Sequence, residues 1–363
     1  MSLSCMPRKI MTTNIQILRD ENLSVYPEFD QHRRVVRFED STSGLVGFIA
    51  IHRERGPLST GGTRYVSYPN EADAIRDALR LSRAMTAKCV VSGLPYGGAK
   101  GVIMARQGGI QKSKELLAAY AGVVESLGGA FRTGEDVGMT EQDVQILLSH
   151  SNFFNGKSDI AGDPSPFAAE SVALVMDRIS QLHLGVSPEK LRIAVKGIGK
   201  VGGALVKILA AQGANVSIAD VNKDALEQVR GLYPAIAEIS PEEIAFTDSD
   251  IYAPCALGNE VNEGTIDRFQ AKMLCGGANN QLADPRFAKI LESHNILYVP
   301  DYLANAGGLI NVSDELEPDG YHRNRVTERI NAIGTLAEKL YLSSRNNTRT
   351  FLEEVEEYVR ANV

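Results

Sequence analysis

A short apolar run, Leu191-Arg-Ile-Ala-Val195, feeds straight into Gly197-x-Gly199-x-x-Gly202. An apolar helical stretch continues to about Ala211, Gly213 stops it, and a second apolar run follows, Asn215-Val-Ser-Ile-Ala-Asp220. Few folds accommodate this order of residues. Gly197 permits a tight turn from strand to helix, Gly199 lets the backbone come close to a pyrophosphate, and Gly202 lets the helix lie close against the strand. The opening helical turn, with Lys200 and Val201, offers unpaired N–H groups and a favourable dipole to an anion. Asp220, closing the second strand, is placed to accept from ribose hydroxyls, which favours NAD. Lys223, three residues on, leaves NADP as the lesser alternative. The motif alone recurs by chance in glycine-rich chains. Here strand, turn, helix and acid stand in the order that the chemistry requires.

Further short apolar runs, Ile251-Tyr-Ala-Pro254 and Ile296-Leu-Tyr-Val-Pro300, alternate with helical stretches, which predicts a parallel sheet covered on both faces. Upstream, Val46–His52 reads as a buried strand and residues 56–64 as a turn-rich loop. A helix opens after Asn70, a plausible N-cap with Asp73 three residues on, and carries Ala72, Ile75, Ala78, Leu79 and Met85 on one face. Its apolar stripe ends at 85. Residues 93–101 read as a glycine-rich break, and 102–104 as the next strand. A helix over 112–127 stops at Gly128-Gly129, and Thr140 with Asp143 caps another. The breaker cluster at 162–167 marks a boundary. After residue 320, Val326, Ile330, Ile333, Leu336 and Leu340 define a long helix, with a second starting near Thr348.

A chain of 363 residues, 44% hydrophobic and 23% charged, is long enough for two cores and ordinary enough to exclude a disordered or disulfide-scaffold protein. A net charge of −7 without a basic patch argues against nucleic acid as partner. No apolar run approaches the ~20 residues that cross a bilayer, and the first residues lack the apolar segment of a secretory signal. Cys5, Cys89, Cys255 and Cys275 are scattered, and the six histidines show no ligand-like spacing. The expectation is a cytoplasmic protein without a metal site.

Two lysines stand apart from ordinary surface charge. Lys88 follows the helix over 71–85, and Lys100 sits in Tyr96-Gly-Gly-Ala-Lys-Gly101, both among residues with few other charges. A lysine desolvated near another cation loses its proton more readily and can act as a base near neutral pH. Thr133-Gly-Glu-Asp-Val-Gly138 sets an acidic pair before a glycine. Pro254-Cys-Ala-Leu-Gly258, Gly276-Gly-Ala-Asn-Asn-Gln281 and Asn305-Ala-Gly-Gly308 follow strand-like runs, where open parallel sheets bind their ligands. Each is also compatible with simple turn chemistry.

Taken together, GGTR (61–64), MTAK (85–88), GLPYGGAKGVI (93–103), TGEDVG (133–138), GDPSP (162–166), VKGIGKVG (195–202), IYAPCALG (251–258), GGANNQL (276–282) and PDYLANAGGLINV (300–312) resemble the amino-acid dehydrogenases of the glutamate, leucine, phenylalanine and valine type. The resemblance runs in order from about residue 40 to 315 and looks more like the leucine and phenylalanine enzymes than the longer glutamate ones. It implies an α/β protein of two domains with a cleft between them. The substrate domain would be 1–160, completed by C-terminal helices over 321–363, and a Rossmann NAD-binding domain would span 161–320. By the family pattern, Lys88 grips the substrate carboxylate with the backbone of Gly62. Lys100 promotes water attack, Asp136 moves protons at the amine, and Asn305 holds the amine. Asn279 lies near the nicotinamide, with Ala256 also at the cofactor. Thr60, Gly134, Leu309 and Val312 line the side-chain pocket. The implied reaction is reversible oxidative deamination of an apolar L-amino acid to a 2-oxo acid and ammonium by a homo-oligomer of two to eight subunits.

Three departures bear on that reading. The loop Gly56-Pro-Leu-Ser-Thr-Gly61 carries one residue more than the family's pattern. Thr60 stands where glutamate enzymes carry a lysine, which disfavours glutamate as substrate. Ala168 replaces the threonine that contacts the nicotinamide amide, and Asp163 replaces an asparagine. Gly134 matches the phenylalanine enzymes, so an aromatic substrate stands behind a branched-chain one, and a non-catalytic NAD sensor is the alternative outside enzymes. A hydroxy-acid dehydrogenase lacks its arginine–histidine pair here.

Overall fold

The computed structural model describes residues 13–105, 112–155 and 160–363. Cys5 and the N-terminal segment read above lie outside them. The chain forms two compact units, one from the described residues of 1–89 and 95–156, the other from 90–94 and the described residues of 157–363.

The first unit is a mixed sheet with helices on both faces. Its elements are β1 (Asn14–Leu18), α1 (Asp20–Leu23), β2 (Arg34–Asp40), β3 (Leu45–Ile51), β4 (Ser59–Thr60), β5 (Thr63–Val66), α2 (Glu71–Val91), β6 (Gly97–Met104), α3 (Lys114–Ser126), β7 (Phe131–Arg132) and α4 (Glu141–Leu148). The strands run in the order β1-β2-β3-β6-β4-β7, with β5 also on β6. β1, β2, β3 and β6 are antiparallel; β4 and β5 join β6 in parallel. Side chains alternate across the sheet. Phe38, Ile49, Ala99 and Ile103 therefore pack with Leu117, Tyr120 and Val124 of α3, while Val35, Phe48, Ala50 and Val102 pack with Ala74, Ala78 and Leu79 of α2. Lys100, two residues from Val102, shares the α2 face.

The glycine-rich stretch over 97–101 is strand, not a break. Its glycines are dictated by crowding. A Cβ at Gly98 would lie 2.0 Å from the Thr86 nitrogen of α2, and one at Gly101 would lie 2.2 Å from the Tyr120 hydroxyl of α3. Likewise α2 runs on to Val91, so Lys88 lies inside the helix rather than after it. Asn70 caps α2 through the Asp73 N–H, and Thr140 with Asp143 forms a capping box on α4.

The second unit holds α5 (Ser165–Leu184), β8 (Arg192–Lys196), α6 (Lys200–Ala211), β9 (Asn215–Ala219), α7 (Lys223–Leu232), β10 (Ala237–Glu238), β11 (Ile251–Pro254), β12 (Met273–Leu274), α8 (Arg286–Ser293), β13 (Leu297–Tyr298), α9 (Asp301–Ala304), α10 (Gly307–Ser313), α11 (Arg323–Asn346) and α12 (Phe351–Ala361). Its sheet is parallel throughout, in the order β10-β9-β8-β11-β12-β13. The chain reverses its direction of growth between β8 and β11, the switch point at which such sheets bind dinucleotides.

The C-terminal helices do not complete the first unit; they belong to the second. Val326, Ile330, Ile333 and Ala337 of α11 and Phe351 and Val355 of α12 share one buried cluster with Val172, Val175, Met176 and Ile179 of α5. The apolar stripe over 326–340 thus finds its partner in α5, the helix leading into the parallel sheet. Among the described residues, no helix is long and apolar enough to cross a membrane.

Candidate active site

In the first unit, strand alternation and helix α2 bring a group of ions together. Lys100, 5% exposed, is ion-paired with Asp136. The other Asp136 oxygen accepts from the Val137 N–H at 2.5 Å and faces the Arg64 guanidinium at 3.6 Å. Burial pushes the Lys100 amine down to about 7, and the nearby charges of Arg64 and Lys88 act in the same direction against Asp77. Lys88 is half-buried on α2. Gly62 lies against the aspartate: a Cβ there would sit 2.8 Å from the Asp136 Cβ and 2.9 Å from the Glu135 carbonyl. Thr60 is buried in β4, paired with Gly98 and Arg132. The Gly134 carbonyl accepts from the Thr63 N–H, and a Cβ at Gly134 would press the Asn155 carbonyl at 3.1 Å. The absent side chain at 134 therefore has a local packing reason.

In the second unit, Gly197 turns at φ +89°, and a Cβ on it would collide with Ala256 at 2.7 Å. Gly202 has the Gly197 carbonyl 1.9 Å from its hypothetical Cβ, whereas Gly199 faces open space. Gly199 is the N-cap of α6, and no side chain caps that helix. Its first N–H groups are thus available to an anion. Asp220 accepts from the Ile198 N–H at 2.7 Å and the Asn222 N–H at 2.8 Å. An open surface depression lies beside it, with Val221, Lys223 and Arg230 in its wall. Lys200 is exposed and 3.9 Å from Asp163, and Val201 packs where a Cβ on Gly277 would fall, 2.6 Å away.

The segments after β11, β12 and β13 meet through their amides. Asn305 donates to the Gly277 carbonyl at 3.0 Å and to Asn279 Oδ1 at 2.8 Å. Its own Oδ1 is buried without a partner. A buried acceptor left open is costly, and an N–H from a bound molecule would satisfy it. Leu309 and Val312 lie half-buried one turn apart on α10. Ala168 is buried on α5, 3.4 Å from a Cβ placed on Gly308. The open helix end and the unshielded Gly199 fit the pyrophosphate of a nicotinamide dinucleotide. Among the described residues, no group of three or more side chains is arranged to hold a metal ion.

Two family models cover these units: Glu/Leu/Phe/Val dehydrogenase, dimerisation domain, matches residues 31–152, and Glutamate/Leucine/Phenylalanine/Valine dehydrogenase matches 167–361. The chain belongs to the Glu/Leu/Phe/Val dehydrogenase family. It is an NAD(P)-dependent amino-acid dehydrogenase, which removes the non-catalytic sensor alternative. Relatives include leucine dehydrogenase of Bacillus cereus, 40% identical over 332 residues and 90% of both chains. Phenylalanine dehydrogenase of Caldalkalibacillus thermarum is 36% identical over 344 residues and 92% of both. Among solved structures, L-tryptophan dehydrogenase from Nostoc punctiforme superposes with a TM-score of 0.78 at 32% identity, covering 91% of this chain and 95% of its own.

The resemblance did not single out Arg64 or Asp77. Arg64 stands in the GGTR match, but its partner Asp77 lies on the next helix at 2.9 Å. The only sequence signal is a charged residue following a glycine pair in an otherwise uncharged stretch.

Proposed function

We propose that this dehydrogenase oxidises L-leucine or another branched-chain L-amino acid with NAD, giving the 2-oxo acid, ammonium, NADH and a proton. The observation that carries the reading is the buried Lys100–Asp136 pair beside the bare backbone of Gly62. Lys88 supplies the fixed cation for the substrate carboxylate, helped by the Gly62 backbone. NAD, when bound, accepts the hydride from the substrate α-carbon. Asp136 takes a proton from the substrate ammonium, so that the amine's electron pair can drive hydride loss. Lys100, its amine neutral above about pH 7, takes a proton from water as the water oxygen bonds to the iminium carbon. Asp136 returns its proton to the nitrogen and, a carboxylate again, takes the hydroxyl proton of the carbinolamine as the carbon–nitrogen bond breaks, so that the carbonyl forms and ammonia leaves to be protonated by solvent. Asn305, its Oδ1 open and buried, accepts from the substrate amine, and Asn279, tied to it, orients the nicotinamide amide. Ala256 and the first turn of α6, with Gly197, Gly199, Lys200, Val201 and Gly202, hold the dinucleotide. Asp220 favours NAD: a carboxylate already fixed by two N–H groups accepts from a ribose hydroxyl and repels a 2′-phosphate.

The residues assigned to the substrate side chain in this reading, Thr60 and Gly134 in the first unit and Leu309 and Val312 in the second, include none able to neutralise a side-chain carboxylate. The identity to leucine dehydrogenase supports leucine first. An aromatic substrate is the second reading, supported by the tryptophan and phenylalanine dehydrogenase relatives. The free thiols of Cys89, Cys255 and Cys275 support a cytoplasmic setting, and the dimerisation-domain match supports a homo-oligomer. The test is NADH appearance at alkaline pH across leucine, isoleucine, valine, phenylalanine, tryptophan and glutamate, with NADP in parallel and Lys100→Ala as control. Leucine should give the highest kcat/KM and the control should lose ~10²–10⁴-fold. A higher value for phenylalanine or tryptophan replaces the first reading with the second.

A further inference from the structure

Arg64 lies between two carboxylates. One arm of its guanidinium meets Asp77 of α2 at 2.9 Å, the other meets Asp136 at 3.6 Å, and its Nε is buried without a partner. Asp77 is held in turn by the Tyr68 hydroxyl at 2.6 Å and Arg80 at 3.1 Å. Burial opposes the charge on Asp77, but Tyr68, Arg64 and Arg80 outweigh it and keep its carboxyl below the usual range. The aspartate is therefore a fixed anion anchoring Arg64 from the helix side. β5, which carries Arg64, pairs in parallel with β6, which carries Lys100. The arrangement sets a permanent positive charge against the carboxylate that Lys100 also touches.

We propose that Arg64, clamped by Asp77, is a positioning residue for the reaction: its two-armed guanidinium, anchored on α2, holds the Asp136 carboxylate toward Lys100. Arginine suits this task because a planar fork meets two acceptors at once, and it stays charged at every working pH. A lysine here reaches one carboxylate or the other. The charged groups facing Lys100 are Asp136, Arg64, Asp77 and Lys88. Of these, Arg64 both opposes protonation of Lys100 and orients its partner. The proposal rests on the roles assigned above to Lys100 and Asp136.

The experiment compares Arg64→Gln, Arg64→Lys and Arg64→Ala with the wild-type enzyme and Lys100→Ala, as pH profiles of kcat and kcat/KM, with NADH binding as the check of folding. Misplacing a reacting group by an ångström costs ~10²-fold, so Arg64→Gln should lose about that in kcat. The rise of its kcat/KM with pH should also move upward by about one pH unit, because Lys100 then holds its proton more tightly. Arg64→Lys should keep the wild-type limb while losing ~10-fold in kcat with KM little changed, since charge is retained and the fork is lost. Millimolar guanidinium should restore at least part of the Arg64→Ala loss. A uniform loss at every pH without guanidinium rescue overturns the proposal, as does full kcat in Arg64→Lys, which stands as the deciding variant if the others fail to fold. If Lys100→Ala retains wild-type turnover, the role of the lysine falls and this proposal with it. If Lys100→Ala is inactive while the Arg64→Gln profile stays in place, only the Arg64 proposal falls.

Discussion

Two glycine-rich segments, each enclosing a lysine, lie 100 residues apart: Gly97-Gly-Ala-Lys-Gly101 and Gly197-Ile-Gly-Lys-Val-Gly202. They look alike on paper and obey different physics. In the first, the glycines lie in a strand, and each is imposed by a neighbour that would collide with a Cβ. In the second, they make a turn: Gly197 supplies the left-handed backbone, Gly202 the close approach, and Gly199 faces nothing within 4 Å. The enclosed lysines differ as sharply, Lys100 buried and paired, Lys200 exposed. Glycine content alone therefore does not distinguish a cradle for a ligand from a tightly packed strand.

Substitutions to alanine break the comparison at graded cost. Gly98→Ala meets the backbone of Thr86 and Ser82 at 2.0 and 2.5 Å, and helix backbone cannot rotate away as a side chain can. Its cost should exceed the ~1–3 kcal/mol of ordinary overpacking, read as a collapse of the urea midpoint and of turnover together. Gly202→Ala, 1.9 Å from the Gly197 carbonyl, should displace α6. It is expected to lower stability by ~1–3 kcal/mol and raise the KM for NAD at least tenfold, while a stability loss with unchanged KM would argue against a cofactor role for this turn. Gly199→Ala should leave stability within about 0.5 kcal/mol, as for substitutions without a packing conflict, yet weaken NAD binding by calorimetry. If binding is unaffected, the space above Gly199 is not where the pyrophosphate lies.

The same pair shows what was legible in the sequence. The turn at 197–202 was readable because strand, helix and acid flank it in order, and the parallel sheet followed. The strand at 97–104 was not, because glycine disfavours strands and the crowding that demands it comes from Thr86 and Tyr120, known only once α2 and α3 are in place. The end of α2 is hidden for a related reason: its apolar stripe stops at Met85 while the helix continues through Lys88 to Val91. The C-terminal stripe marks a helix, α11, but periodicity does not name a partner, and α5 supplies it. Short strands such as β10 and β12 carry too few residues for a period. Among site residues, Lys100, Asp136 and Gly62 lie together in the structure. The Arg64–Asp77 pair is not legible in the sequence, since a strand-to-helix ion pair 13 residues apart leaves no periodic trace.

The buried lysine also ties folding to proton concentration. In the unfolded chain its amine would titrate near 10.5, in the fold at about 7. Between those values the unfolded state holds the extra proton, so this group makes unfolding harder as pH rises through that interval and easier as it falls. Urea midpoints should climb from pH 7 toward 10 in the wild-type protein, and Lys100→Met should flatten the climb. A protein built this way gains cohesion from this group across the alkaline range in which the lysine is neutral, so the charge state that the proposed base needs is also the one that holds the molecule together.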